Sequence, residues 1–266
     1  MTPLYSVENL RLSLPDLTRK PLLGAAPRIE ILKGLSFDIA KGEVLGIVGG
    51  SGSGKSTLGR ALVRLAQPTA GMIRFDGTDI THRTAAQLRP LRRRFQMIFQ
   101  DPMSSLNPRQ RIGQIIESPL ALHGVADTAA RMLDALDMVG LPQAFARRYP
   151  HEVSGGQRQR VGIARAIALS PDFVLADEIV SGLDVSSQAQ ILNLLAGLVR
   201  DLGLTLAFIS HDLSVIRRLC GRVLVMYGGE IVEDAATAEL FANPKAAYTR
   251  SLLDAIPLPD PDQVWA

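Results

Sequence analysis

Three short stretches of this chain hold residues whose types and spacing suit chemistry on a phosphate. Gly49-Gly50-Ser51-Gly52-Ser53-Gly54-Lys55-Ser56 fits the pattern G-x-x-x-x-G-K-[ST]. Glycines let the backbone wrap an anion with several N–H groups turned inward, and a following helix offers its positive end to the same charge. Lys55 is placed to reach the β- and γ-phosphates of a nucleotide, and the Ser56 hydroxyl to bind Mg²⁺. Thr57 adds a further phosphate contact. A chance match in a chain this long is about a one-in-a-hundred event.

The pair Asp177-Glu178 follows an apolar run. Alone, such a pair reads as a surface turn. After a buried strand and downstream of a phosphate loop, Asp177 suits Mg²⁺, directly or through water. Glu178 points differently and suits orienting or deprotonating an attacking water. Ser154-Gly155-Gly156-Gln157 precedes a helical stretch. A serine and free N–H groups there form an N-cap and an anion site at once. His211 and Gln100 carry little by residue type alone, since a lone histidine is most often structural.

The elements that must position these groups are legible from periodicity. Short apolar runs at 44–48, 73–75, 96–99, 173–176, 205–209 and 223–226 read as strands, several of them buried on both faces. Residues 5–12 and 31–39 read as an N-terminal pair of strands, with 15–28 as an exposed loop between them. Helical patterns cover 56–65, 112–122, 128–139, 155–169, 186–199 and 213–219. Strands alternating with helices predict a mostly parallel sheet with helices on its faces.

Taken in order, Gly49 to Ser56, Gln100, Ser154 to Gln157, Asp177-Glu178, Ser181-Gly182-Leu183-Asp184 and His211-Asp212 resemble the ATP-binding cassette family over nearly the whole chain. The resemblance implies an α/β fold: a P-loop NTPase core with a mostly parallel sheet, an N-terminal antiparallel β part and an inserted helical subdomain. It implies one nucleotide-binding domain over 1–266. Within it, 1–100 and 155–240 form the ATPase core, 101–154 the helical subdomain and 241–266 a C-terminal tail. It also implies the cofactors ATP and Mg²⁺. His211 then contacts the γ-phosphate, and Gln100 touches Mg²⁺ or water and couples to a membrane subunit. Ser154, Gly155, Gly156 and Gln157 act in trans on the nucleotide of an opposite subunit, with Asp184 in the neighbouring D-loop.

Phe99-Gln100-Asp101-Pro102-Met103-Ser104-Ser105-Leu106-Asn107-Pro108 is similar to the oligopeptide, dipeptide and nickel importer branch. So is Tyr248-Thr249-Arg250-Ser251-Leu252-Leu253, with the prolines from Pro257 to Pro261 after it. Some positions depart from the pattern. Leu14 stands where an aromatic residue stacks on adenine, so ATP selectivity falls to another ring, such as Tyr5, or is small. Val153 replaces a leucine, Ile179-Val180 replaces Pro-Thr, and Gly182 replaces an alanine. The last three predict an altered D-loop approach and an asymmetric pair of ATPases.

Composition narrows the setting. A net charge of +3 is a mild excess, and the cluster Arg89, Arg92, Arg93 and Arg94 reads as a solvated face rather than a nucleic-acid contact. One cysteine, Cys220, supports neither a disulfide framework nor an all-cysteine cluster. No stretch approaches the roughly 18 apolar residues that span a bilayer, and no leader pattern opens the chain. The expectation is a peripheral protein at the cytoplasmic face of the inner cell membrane, held there only by permeases. Its expected partners are a second, non-identical cassette ATPase, two permease subunits and, indirectly, a solute-binding protein. A soluble cassette ATPase of DNA repair or translation and an exporter ATPase are the competing readings.

Overall fold

The computed structural model describes residues 3–16, 24 and 26–255. The prolines from 257 to 261 and part of the 15–28 loop lie outside them. Strand β1 (Tyr5–Pro15) pairs antiparallel with β2 (Arg28–Ile39) and with β4 (Ala70–Phe75), whose other edge carries β5 (Thr78–Asp79). A second sheet of six strands has the order β10-β9-β3-β8-β7-β6. These are β3 (Val44–Val48), β6 (Phe95–Ile98), β7 (Phe173–Asp177), β8 (Thr205–Ile209), β9 (Arg222–Tyr227) and β10 (Glu230–Ala236). All neighbours in it are parallel except β10, which returns antiparallel along β9.

Helix α1 (Lys55–Leu62) follows β3, and α2 (Ala85–Arg92) precedes β6. Between β6 and β7 lie α3 (Pro102–Ser105), α4 (Ile112–Leu122), α5 (Thr128–Met138) and α6 (Gly155–Ile167). Then come α7 (Val185–Leu202), α8 (Leu213–Leu219), α9 (Thr237–Ala242) and α10 (Ala247–Asp254).

All five residues of β7 and all five of β8 are buried, as expected of parallel strands covered on both faces. The two-residue side-chain period divides them between two cores. Phe173, Leu175, Ala207 and Ile209 join α1 and the N-terminal sheet, while Val174, Ala176, Leu206 and Phe208 join the core shared with α4 to α8.

Several boundaries differ from the sequence reading. Strand β1 runs on to Pro15, and β2 begins at Arg28. Helix α1 stops at Leu62, and Arg64 just beyond it takes a φ of 55°. Helix α2 has no apolar periodicity, because Leu88 is its one buried residue and Pro90 lies inside it, yet Thr84 and Gln87 cap it reciprocally. The arginine run has a structural member. Arg94 donates to Asp172 at 2.6 Å and Asp76 at 2.7 Å and lies over the Phe75 ring. Tyr5 cannot face a nucleotide. It is fully buried, packs on Phe75 and Phe173, and donates its hydroxyl to the Leu62 carbonyl at 3.3 Å.

Candidate functional site

Four adjacent parallel strands end on one edge of the six-stranded sheet, and each carries a candidate group at or just past its end. The order across the sheet is β3, β8, β7, β6. Beyond them come, in turn, the glycine-rich loop, His211, Asp177-Glu178 and Gln100. Residues far apart in sequence meet because the strands that precede them are neighbours, and the carboxyl ends of such strands are where open α/β sheets bind ligands.

The loop's glycines serve both conformation and space. Gly52 and Gly54 have φ of 77° and 102°. A Cβ on Gly49 would stand 2.2 Å from the Met226 carbonyl oxygen, so no larger residue fits. Lys55 is 6% exposed, and its ammonium donates to the carbonyls of Gly49 at 2.7 Å and Gly50 at 2.9 Å. Burial pulls its pKa down, against the carboxylates of Glu178 and Asp177, which push it up. Helix α1 has neither a side-chain cap nor an acidic residue in its first turn. Its first N–H groups therefore suit an anion. The Ser53 hydroxyl is buried without a hydrogen-bond partner. Buried polar groups of this kind call for a partner, and a phosphate oxygen suits one.

Ser56 donates to the Asp177 carboxylate at 3.0 Å. Burial raises the Asp177 pKa most, the Ser56 hydroxyl lowers it, and the Glu178 charge raises it again. A cation beside this pair would relieve that penalty. The hydroxyl and carboxylate are hard oxygen donors of the kind Mg²⁺ takes. Glu178 has a φ of 48°, a strained setting for a non-glycine residue of the sort found at active sites. Its N–H donates to the Ile209 carbonyl at 3.0 Å, which ties it to β8. Gln100 donates its amide to the Glu178 carboxylate at 3.0 Å, and His211 Nδ1 lies 3.7 Å from the same oxygen. Gln100, Glu178 and His211 thus form one cluster. Thr57 is half-buried in the first turn of α1.

The remaining candidates sit elsewhere. Ser154 caps α6, accepting the Gln157 N–H at 3.3 Å while the Gln157 side chain accepts the Ser154 N–H at 2.9 Å. Ser154, Gly156 and Gln157 line a cleft with Gly140, Arg160 and Ser187, and no residue of the glycine-rich loop lines it. Asp184 caps α7 by accepting from the Ser187 N–H at 2.9 Å and hydroxyl at 2.7 Å. Ile179 and Val180 are buried in the chain's own core, so this substitution does not face a partner. Gly182 is exposed with a φ of 78°, a backbone state that alanine resists. Val153 packs in the same core as α4 to α6. Tyr248 of α10 was not a site candidate, because nothing in the sequence places the tail beside the loop. Its hydroxyl accepts the Gly50 N–H at 2.7 Å.

A parallel sheet ending in a lysine-bearing phosphate loop, with a serine–aspartate pair and a glutamate beside it, defines a P-loop nucleoside triphosphatase. Comparison with known proteins narrows this class. The ABC transporter family pattern matches residues 32–181, and the chain belongs to that family. A Brucella ovis protein, named provisionally as a peptide import ATP-binding protein, is 52% identical over 98% of this chain and 81% of its own length. The oligopeptide transport ATP-binding protein OppF of Bacillus subtilis is 51% identical over 88% of this chain and 78% of its own. The glutathione import ATP-binding protein GsiA of Shigella flexneri is 49% identical over 98% of this chain, which spans 42% of GsiA. A solved dimeric ATP-binding cassette in a post-hydrolysis state, bound to ADP and Pi, is 29% identical with a TM-score of 0.76, over 88% of this chain and 98% of that one. The chain is an ATP-binding cassette ATPase.

Proposed function

We propose that this chain hydrolyses ATP to energise an importer for peptides or related small solutes. The observation that carries the reading is the convergence of the Ser56–Asp177 pair and the Gln100–Glu178 pair, each 3.0 Å apart, at the edge that bears the phosphate loop. In this reading Gly49 to Thr57 bind the triphosphate, with Lys55 on the β- and γ-phosphates. Ser56, Asp177 and Gln100 hold Mg²⁺, which neutralises phosphate charge when bound. Glu178 takes the proton of the attacking water, Gln100 orients its carboxylate, and His211 contacts the γ-phosphate.

Ser154, Gly156 and Gln157 line a separate cleft in the same chain, and in this reading the helix end they share with Gly155 serves the nucleotide of an opposing cassette. Ser187, which Asp184 caps, lines the same cleft. The working unit is then a nucleotide-sandwich pair, with a non-identical cassette as the second ATPase. Two permeases hold the pair at the cytoplasmic face of the membrane, and a solute-binding protein delivers the cargo. No helix among the described residues is long and apolar enough to cross a membrane. The helices of 101–154 form the subdomain inserted into the ATPase core of 1–100 and 155–240, and 241–266 the tail.

The assignment is tested by affinity purification from membranes of the source cell. Co-purification of permeases and uptake of labelled peptides that stops on deletion of this chain support an importer. Capture of ribosomes or DNA-repair proteins instead contradicts it.

A further inference from the structure

The C-terminal segment reaches back to the phosphate loop through a hydrogen bond from Gly50 to Tyr248, and its placement is built rather than incidental. Glu233 of β10 is 7% exposed, and its two carboxylate oxygens accept the N–H groups of Lys245 and Ala246, each at 2.9 Å. Arg250 donates to the carbonyls of Pro244 at 3.1 Å and Lys245 at 3.0 Å. These bonds fix the start of α10. The Tyr248 ring then packs on Tyr227, the last residue of β9, with centroids 4.3 Å apart. From there the hydroxyl accepts the Gly50 N–H at 2.7 Å.

The other side of that same peptide unit bears on Lys55. The Gly49 carbonyl accepts the Lys55 ammonium at 2.7 Å. A trans peptide points its C=O and N–H in opposite directions, so the Gly49–Gly50 plane is held from both sides, by Tyr248 outside and Lys55 inside. Hydrogen bonds that share a peptide also polarise one another. Gly50 allows the approach, since a Cβ there would stand 3.0 Å from the Tyr248 oxygen.

Resting on the proposed nucleotide site, we infer that Tyr248 is a positioning residue of that site. It fixes the peptide whose carbonyl directs the Lys55 ammonium, and the C-terminal segment thereby sets the affinity of the loop for nucleotide. Loss of the hydroxyl leaves the Gly50 N–H without this partner and lets the peptide turn, so Lys55 is no longer held ready for phosphate.

The test is equilibrium titration of the full chain with Mg-ATP and Mg-ADP, alongside thermal unfolding. Tyr248→Phe keeps the ring on Tyr227 and removes only the hydroxyl. Its Kd for both nucleotides rises about 3- to 10-fold, the scale of one hydrogen bond lost from a partly buried donor, while Tm moves by no more than about 3 °C. Glu233→Ala frees the start of α10 without touching the loop and raises Kd in the same direction. The double variant binds no more weakly than the worse single one, because both act through one contact. A lowered Tm with unchanged Kd in Tyr248→Phe overturns the proposal, as do additive effects of the two substitutions. Wild-type protein that fails to bind Mg-ATP overturns the nucleotide site itself, whereas wild-type binding equalled by Tyr248→Phe removes only the role of Tyr248.

Discussion

The Lys55 ammonium donates to the Gly49 carbonyl at 2.7 Å, so the cation is held inside its own loop before any nucleotide arrives. With a second bond to Gly50, two of its three protons are engaged. The third remains for an anion in the cradle. Preorganisation of this kind lowers the cost of ordering a side chain on binding.

Replacement of Lys55 by alanine removes the loop's single cation and the charge-assisted bonds it offers to phosphate. Such bonds are worth roughly 1.5–3 kcal/mol each. Lys55→Ala therefore binds Mg-ATP about 10- to 100-fold more weakly in an equilibrium titration. Equal affinity of variant and wild type would refute the role given to Lys55.

Base recognition gives a second expectation. Leu14 is 44% exposed and pairs across the strands with Ile29, which is 48% exposed. This end of the hairpin offers aliphatic rather than aromatic surface, and Tyr5 is sealed in the core. Stacking of a base on an aromatic ring is worth about 1–3 kcal/mol. Wild-type protein accordingly binds ATP and GTP within about 3-fold of one another, and Leu14→Tyr tightens ATP binding by at least about 5-fold. Competition titrations read both numbers. Strong ATP preference in the wild type would show that an aromatic group from elsewhere covers the base.

These two cases mark what the sequence could and could not disclose. The parallel core was legible because β7 and β8 are continuous apolar runs, and buried parallel strands need little else. The phosphate loop was legible because glycine, lysine and serine at fixed spacing have one mechanical use. Helix α2 was not, since it buries only Leu88 and so lacks an apolar stripe. Strand β10 was missed for a related reason: it lies at the edge of its sheet and carries Glu230, Glu233 and Asp234. The family resemblance supplied roles for Gln100 and His211 that residue type alone did not, and the structure groups both with Glu178. It could not show that Ile179 and Val180 point inward, nor that Tyr248 meets Gly50. Contacts made across the fold leave no local trace in sequence.

Ile179 and Val180 turn inward and offer no surface to a second cassette. Of the three D-loop substitutions, Gly182 alone is exposed, so it alone of them is open to contact. The expectation remains a complex with a non-identical cassette, and weak ATPase activity for this chain alone. Intact mass measurement of the purified transporter identifies its ATPase chains. Two copies of this chain in a fully active complex would contradict the mixed pair and leave the ATPase assignment standing.

In the proposed mechanism Glu178 drives hydrolysis at a site bounded by Ser56, Asp177 and Gln100. Glu178→Gln preserves size and the backbone bond to Ile209 but removes the base. Paired measurements of Mg-ATP affinity and steady-state turnover in the assembled complex test this most directly. Unchanged affinity, with turnover lowered by roughly 10²-fold or more and an ATP-bound dimer accumulating, is the predicted result. Near-normal steady-state hydrolysis by Glu178→Gln would contradict it.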